Sequence, residues 1–147
     1  MTQYELLDYL ANRPEIIGEI APGYATVDLR SFFLNSKNIM IGNEDGVVLF
    51  GDLGRGVYQM HYLLTDKVRG RAAFKVIKSA IETMFTFHGA VAITGATPRT
   101  NRAARAMNRA LGGRPIGVSE DSHGRPCINY ILERSSWATS LAALSKR

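Results

Sequence analysis

The chain has 147 residues, of which 46% are hydrophobic and 21% charged, the make-up of a folded globular domain rather than a disordered chain. One cysteine excludes an internal disulfide framework, and three scattered histidines offer no zinc spacing. The formal net charge is +5, no apolar run approaches the ~20 residues that span a bilayer, and the N-terminus lacks a signal peptide's basic-then-apolar layout, so a cytoplasmic home is expected.

Tyr4, Leu6, Leu7, Leu10 and Ala11 recur at helical spacing and predict a helix over residues 2–12, ended by Pro14. Pro22-Gly23 marks a turn. Residues 28–34 read as a short second helix with Asp28 near its start, a strand being the alternative. Two strands, 37–41 and 47–51, flank Asn43-Glu44-Asp45-Gly46, a hairpin signal in which Gly46 can take positive φ. Residues 52–56 turn the chain into a strand over 57–64. From 70 to 88, Ala73, Val76, Ile77, Ala80, Ile81, Met84 and Phe85 form one helical face, with Lys75, Lys78 and Glu82 opposite. Residues 90–95 (AVAITG) predict a central strand, and 100–111 a helix stopped by Gly112-Gly113. A last hairpin, 114–120 and 126–133, turns around 121–124. In the tail, Trp137, Leu141 and Leu144 share helical spacing and predict docking on the body or on a partner. The order predicts a single mixed α/β domain whose helical crossovers pack on a largely antiparallel sheet.

The positive charge is concentrated. Residues 67–78 carry Lys67, Arg69, Arg71, Lys75 and Lys78 with no acid, and 99–114 carry Arg99, Arg102, Arg105, Arg109 and Arg114 with none. Two acid-free patches on neighbouring elements point to a polyanionic ligand. The first patch follows a strand and opens a helix through one glycine, an order that aims unpaired backbone N–H groups at the positive end of a helix dipole, where a pyrophosphate is held. The second places Asn101 at the mouth of another helix, where capping is the simpler role for it.

These two units resemble the GNAT N-acetyltransferase superfamily. That family binds acetyl-CoA at a strand followed by Gln/Arg-x-x-Gly-x-Gly/Ala, and Lys67-Val68-Arg69-Gly70-Arg71-Ala72 fits at the glycine and the last small residue. Its next unit often carries Asn-x-x-Ala before a helix ending in glycine, as Asn101-Arg102-Ala103-Ala104 and Gly112-Gly113 do here. The resemblance covers roughly residues 39–137. The short length, the Tyr-x-x-His strand and the late tryptophan look most like the GNAT-like proteins of bacteriophages. The resemblance implies a V-shaped opening between the strands 57–64 and 90–96. The pyrophosphate of acetyl-CoA would rest on the amides from Arg69 to Ala73, its arm would run along Leu63 and Leu64, and Asn101, with Ala104 behind it, would hold the arm. The N-terminal ~35 residues do not show the resemblance, and the domain is read as an N-terminal helical extension on the acceptor side (1–36), a core (37–134) and a tail (135–147).

The departures from the family fall where chemistry would occur. The usual proton donor is a tyrosine seven positions after the asparagine, and that slot is Asn108, which cannot protonate a thiolate. The usual glutamate base on the central strand is missing. Alternation places Gln59 and His61 on the mixed polar face of that strand, and His61 is the side chain there that accepts a proton near neutral pH. A satisfied, half-buried histidine is the alternative reading. Tyr58, Tyr62 and Tyr130 are substitute acids or core residues, His123 reads as exposed in a turn, and Cys127 as buried and inert. No metal ligand set is expected.

Three functions follow. The first is an acetyl-CoA-dependent N-acyltransferase acting on an amine, whose acceptor pocket would be built from residues 13–36 and 119–126. The second is a catalytically degenerate GNAT-like scaffold, such as a phage virion or assembly component, binding a protein partner through the N-terminal helix and the tail. Nucleic-acid binding through the Arg102, Arg105 and Arg109 stripe ranks last, because no aromatic residues interleave with it for base stacking.

Overall fold

A computed structural model describes residues 1–137; Leu141 and Leu144 of the expected tail helix lie outside these. Helix α1 (Gln3–Ala11) starts where the Thr2 hydroxyl accepts the Glu5 N–H at 3.1 Å, and α2 (Pro14–Ile20) follows it directly. The second helix is missed by a reading that takes Pro14 as a terminator. Proline stands in the first turn of α2, where it gives up no intrahelical bond and its fixed φ suits the helix. Residues Arg30–Leu34 form one turn of 3₁₀ helix, entered through Asp28, whose Oδ1 accepts the Arg30 N–H at 2.9 Å.

The six strands are β1 (Ile39–Asn43), β2 (Gly46–Gly54), β3 (Val57–Leu64), β4 (Ala92–Pro98), β5 (Arg114–Glu120) and β6 (Pro126–Glu133), arranged in the order β1-β2-β3-β4-β6-β5. All neighbours run antiparallel except β3 and β4. The β1–β2 hairpin forms as expected, with a different use of glycine. Gly42 carries the positive φ, at +143°, while Gly46 lies close to the next strand: a Cβ there would come within 2.7 Å of Leu64 Cδ2 and would have to displace that side chain.

Helix α3 (Arg71–Phe87) crosses from β3 to β4. Ala73, Ile77, Ala80, Ile81, Met84 and Phe85 are buried against Val48, Phe50, Tyr58, Met60, Ile93 and Leu132 of the sheet, at the spacing the sequence shows. Lys78 departs from that reading. It is 2% exposed, with Nζ 3.8 Å from Glu82 Oε1. Position 78 adjoins Ile77 and Ile81 at the edge of the apolar stripe, so its long stem is covered while the ammonium reaches Glu82. The opposite sheet face is covered by α1 and α2, whose Leu7, Leu10, Ala11 and Ile16 pack on Val47, Leu49 and Leu63.

Helix α4 (Arg102–Ala110) joins β4 to the β5–β6 hairpin, and α5 (Arg134–Trp137) sets the Trp137 ring 6.0 Å from that of Phe85. Strand β4 starts at Ala92, two residues later than AVAITG implies, and runs on to Pro98. No described helix is long and apolar enough to cross a membrane.

Candidate functional site

The site begins where the sheet divides. β3 and β4 pair at only three positions, Val57↔Ala92, Tyr58↔Ile93 and Gln59↔Thr94. Beyond these, β3 stays with β2 as far as Leu64, and β4 stays with β6 as far as Pro98. The inner edges of residues 60–64 and 95–98 therefore face a gap rather than each other, forming the V that the resemblance implies. A strand edge without a partner presents N–H and C=O groups to whatever enters the gap.

The gap opens into a cavity of about 960 Å³. Gln59 to Leu63 form one wall, and Thr94 to Pro98 with Asn101, Ala104 and Asn108 form the other. The mouth is bounded by Gly18–Ile20 of α2 and by Ser119–His123 at the β5–β6 turn. His123 is exposed but engaged: its Nε2 lies 3.2 Å from the Ile20 carbonyl oxygen, and its ring 5.8 Å from that of Tyr24, tying the hairpin to the N-terminal segment. Both segments named as acceptor-side loops thus contribute to one cavity, though about 100 residues separate them in sequence.

His61 stands in the first wall, open to the cavity but hemmed in by surrounding protein, and the lost hydration holds its imidazole pKa below the ordinary 6.5. At neutral pH it is a free base. Gln59 sits at the fork itself. Tyr62 also lines the cavity; burial, then the negative charge of Glu19, raise its phenol pKa and keep it protonated. Tyr58 and Tyr130 are buried, which removes them from the cavity. Cys127 is 1% exposed, and its thiol pKa is raised, first by burial and then by Asp121.

In the second wall, the Asn101 Oδ1 accepts the Ala104 N–H at 3.0 Å, the capping arrangement, so its NH₂ is the group left for a ligand. Asn108 is built into this wall. It is 8% exposed, and its Nδ2 donates to Thr97 Oγ1 at 2.9 Å and to the Ala104 carbonyl at 3.1 Å, clamping α4 on β4. Thr97 escapes a sequence reading; the one signal for it is that it and Thr94 are the polar residues of an otherwise small and apolar strand.

The basic turn lies outside the cavity lining, past the end of β3. Lys67 Nζ is 3.8 Å from Asp45, Arg69 Nη2 is 2.9 Å from Asp66 Oδ1, and Arg71 is exposed. Val68 packs against the α3 core and anchors the turn. Gly70 takes φ +57°, ψ −125° and leaves α3 with no side-chain cap, unlike α1 and α4. The Ala72 N–H bonds to the Arg69 carbonyl; among the described residues, the N–H groups of Arg69, Gly70, Arg71 and Ala73 have no such partner. A Cβ built on Gly70 would meet nothing within 4 Å, so the space beside Gly70 is open. The structure gathers Gln59, His61, Leu63, Asn101, Ala104 and Asn108 in one cavity, and leaves Leu64 and residues 67–73 beside it.

In the arginine stripe, Arg102 and Arg109 are exposed, while Arg105 is half-buried and donates through Nη1 to the Arg99 carbonyl at 3.1 Å. No described residues form a metal-binding group.

No known family model matches the sequence, and no curated protein matches it. Solved structures do. A ribosomal-protein-S5-alanine acetyltransferase from Vibrio fischeri superposes with a TM-score of 0.70 at 12% identity, over 93% of this chain and 92% of its own. An uncharacterized protein from Bacillus halodurans gives 0.75 at 12% identity, over 96% and 85%. RimJ from Mycobacterium smegmatis, in complex with CoA-disulfide, gives 0.61 at 17% identity; the match covers 71% of this chain and only 56% of that protein. The mixed six-stranded sheet with flanking helices is the GNAT fold. No comparison points to a bacteriophage.

Proposed function

We propose that the chain is a GNAT-fold acyltransferase that moves an acetyl group from acetyl-CoA to an amine. One observation carries this reading: the sheet divides after Gln59 and Thr94 over a cavity that runs to the mouth of α4, beside a helix start whose amides no side chain caps. The fit to a CoA-type donor is physical. Open space above Gly70 lets phosphate oxygens approach the amides from Arg69 to Ala73, and Lys67, Arg69 and Arg71 add charge around them. Leu63 and Leu64 offer a strand edge to an extended arm, and Asn101 offers its NH₂, with Ala104 close behind. The likeness to a structure holding CoA-disulfide supports the same class of donor.

In this reading the amine enters between α2 and the β5–β6 turn and meets His61, which is neutral at pH 7 and takes its proton. Gln59, at the fork, orients the reacting groups, and unpaired β3 amides polarise the thioester carbonyl. Residues 1–147 act as one domain, with 1–36 on the acceptor side, 37–134 as the core and 135–147 as the tail.

Titration calorimetry with acetyl-CoA and with CoA tests the reading. Both bind the wild type, and Arg69→Glu weakens binding at least about tenfold, roughly the value of one charge-assisted phosphate contact. If neither binds at millimolar concentration, the reading fails. The missing carboxylate on β3 and the amide at position 108 favour one second reading, a scaffold that has kept the fold and lost turnover; CoA binding with no acetylation of any amine in a broad panel identifies it.

A further inference from the structure

We propose that Thr97, held by Asn108, donates the hydrogen bond that stabilises the departing sulfur of the thioester donor, an inference that rests on the acyl-transfer reading above. The Nδ2 of Asn108 has two hydrogens and no lone pair. Both hydrogens are committed, to Thr97 Oγ1 at 2.9 Å and to the Ala104 carbonyl at 3.1 Å. Thr97 therefore accepts from Asn108, and its own hydroxyl hydrogen must point elsewhere. Among the described residues it finds no acceptor. Thr97 is 6% exposed and lines the cavity, so a fixed oxygen carries an uncommitted donor into the gap between the strands. A buried donor without an acceptor is costly, and an atom arriving in the cavity relieves that cost.

The chemistry selects the atom. In acyl transfer, charge develops on the carbonyl oxygen and on the sulfur. The unpaired amides of β3 serve the first. The second needs a donor on the opposite wall, where the polar side chains are Thr94, Thr97, Thr100, Asn101 and Asn108. The Asn101 NH₂ is given to the arm of the donor in the reading above and both Asn108 hydrogens to the clamp, while Thr97 is a buried hydroxyl whose oxygen is fixed by Asn108. An alkyl hydroxyl is far less acidic than a thiol, so Thr97 stabilises the thiolate without surrendering its proton. The amine nitrogen forms its bond to the acyl carbon, the carbon–sulfur bond breaks with its electron pair going to sulfur, and the amine's proton passes to His61 and then to solvent. The thiolate takes one proton back from solvent. Asn108 acts through Thr97 and is a positioning residue.

The test reads the thiol directly. Thiolate absorbance of CoA bound to the protein gives the pKa of the bound thiol. Wild type holds it below the value of CoA free in solution, and Thr97→Val raises it by about one unit, a tenfold change in the ionisation equilibrium. Thr97→Ser restores the wild-type value. In turnover, Thr97→Val lowers kcat by about 10- to 100-fold, toward the loss seen on removing one oxyanion donor, with KM for the donor unchanged. An aryl thioester, whose leaving thiolate needs little help, erases most of that loss. Valine leaves an Asn108 hydrogen without an acceptor, so Thr97→Ala, which adds no methyl against it, repeats each measurement. An unchanged bound-thiol pKa in Thr97→Val and Thr97→Ala, with CoA still bound, overturns the inference and leaves the acyl-transfer reading standing; failure of the wild type to bind CoA removes both.

Discussion

Replacing Gly70 with alanine separates a backbone requirement from everything else at the entrance to α3. Its φ of +57° and ψ of −125° mirror ordinary extended backbone, a region that costs an L-residue about 1–3 kcal/mol. No atom lies within 4 Å of the added Cβ, so packing contributes nothing to that loss. For a chain of this size each kcal/mol moves the melting temperature by about 2–4 °C, so thermal unfolding shifts down by about 2–12 °C. Gly18→Ala is the control. Gly18 lies inside α2 with ordinary φ, again with nothing within 4 Å of the new Cβ, and alanine there raises stability by about 0.5–1 kcal/mol. Ligand binding tracks the same geometry. A turn that relaxes to suit alanine rotates the amides of Arg71 and Ala73 away from the phosphates, and CoA affinity drops about tenfold for each 1.4 kcal/mol by which their hydrogen bonds weaken. A Gly70→Ala protein that melts with the wild type and binds CoA equally well would refute the argument.

The further outcomes depend on titration of two residues, His61 and Asp28. Because burial holds the His61 pKa below 6.5, kcat/KM rises with pH through a value under 6.5 and then levels, and His61→Gln flattens that limb. The same depressed pKa means that the folded chain binds fewer protons than the unfolded one, so this residue's contribution to stability falls as pH drops below 6.5; urea unfolding at several pH values shows a slope that His61→Gln loses. Asp28 titrates at about 2, chiefly through its side-chain hydrogen bond from Arg30 and then the Arg30 backbone N–H. Carboxyl NMR of Arg30→Ala finds the value back toward 3.8, and added salt moves the wild type the same way because both side chains are exposed. The stabilisation from this pair is present above pH 3.8 and fades as pH falls toward 2.

Elements whose periodicity and punctuation agree are legible in the sequence. α3 shows one apolar face and a glycine at its start, and the β5–β6 hairpin is bracketed by its turn residues, so both fall where the pattern puts them. Local ambiguity explains the misses. Pro14 ends one helix or begins another, and only the packing of Ile16 against Leu7 and Leu10 decides. Lys78 is polar by type but apolar along most of its length. The cavity is half visible in the sequence: the strand faces of Gln59 and His61 follow from alternation, whereas the meeting of Ile20 with His123 is a tertiary event. The bond from Asn108 to Thr97 is not legible in sequence, because the two residues lie on different elements 11 positions apart.

The three rungs between β3 and β4 make the sheet two ribbons, β1-β2-β3 and β4-β6-β5, seamed along a short length. What holds the ribbons at their angle is the shared cluster beneath the seam, where Tyr58 and Met60 from one ribbon and Ile93 and Leu132 from the other press on α3. The aperture is thereby set by close-packed side chains, which deform little. A bulkier guest is admitted by trimming residues under the seam, not by lengthening the loops at the rim.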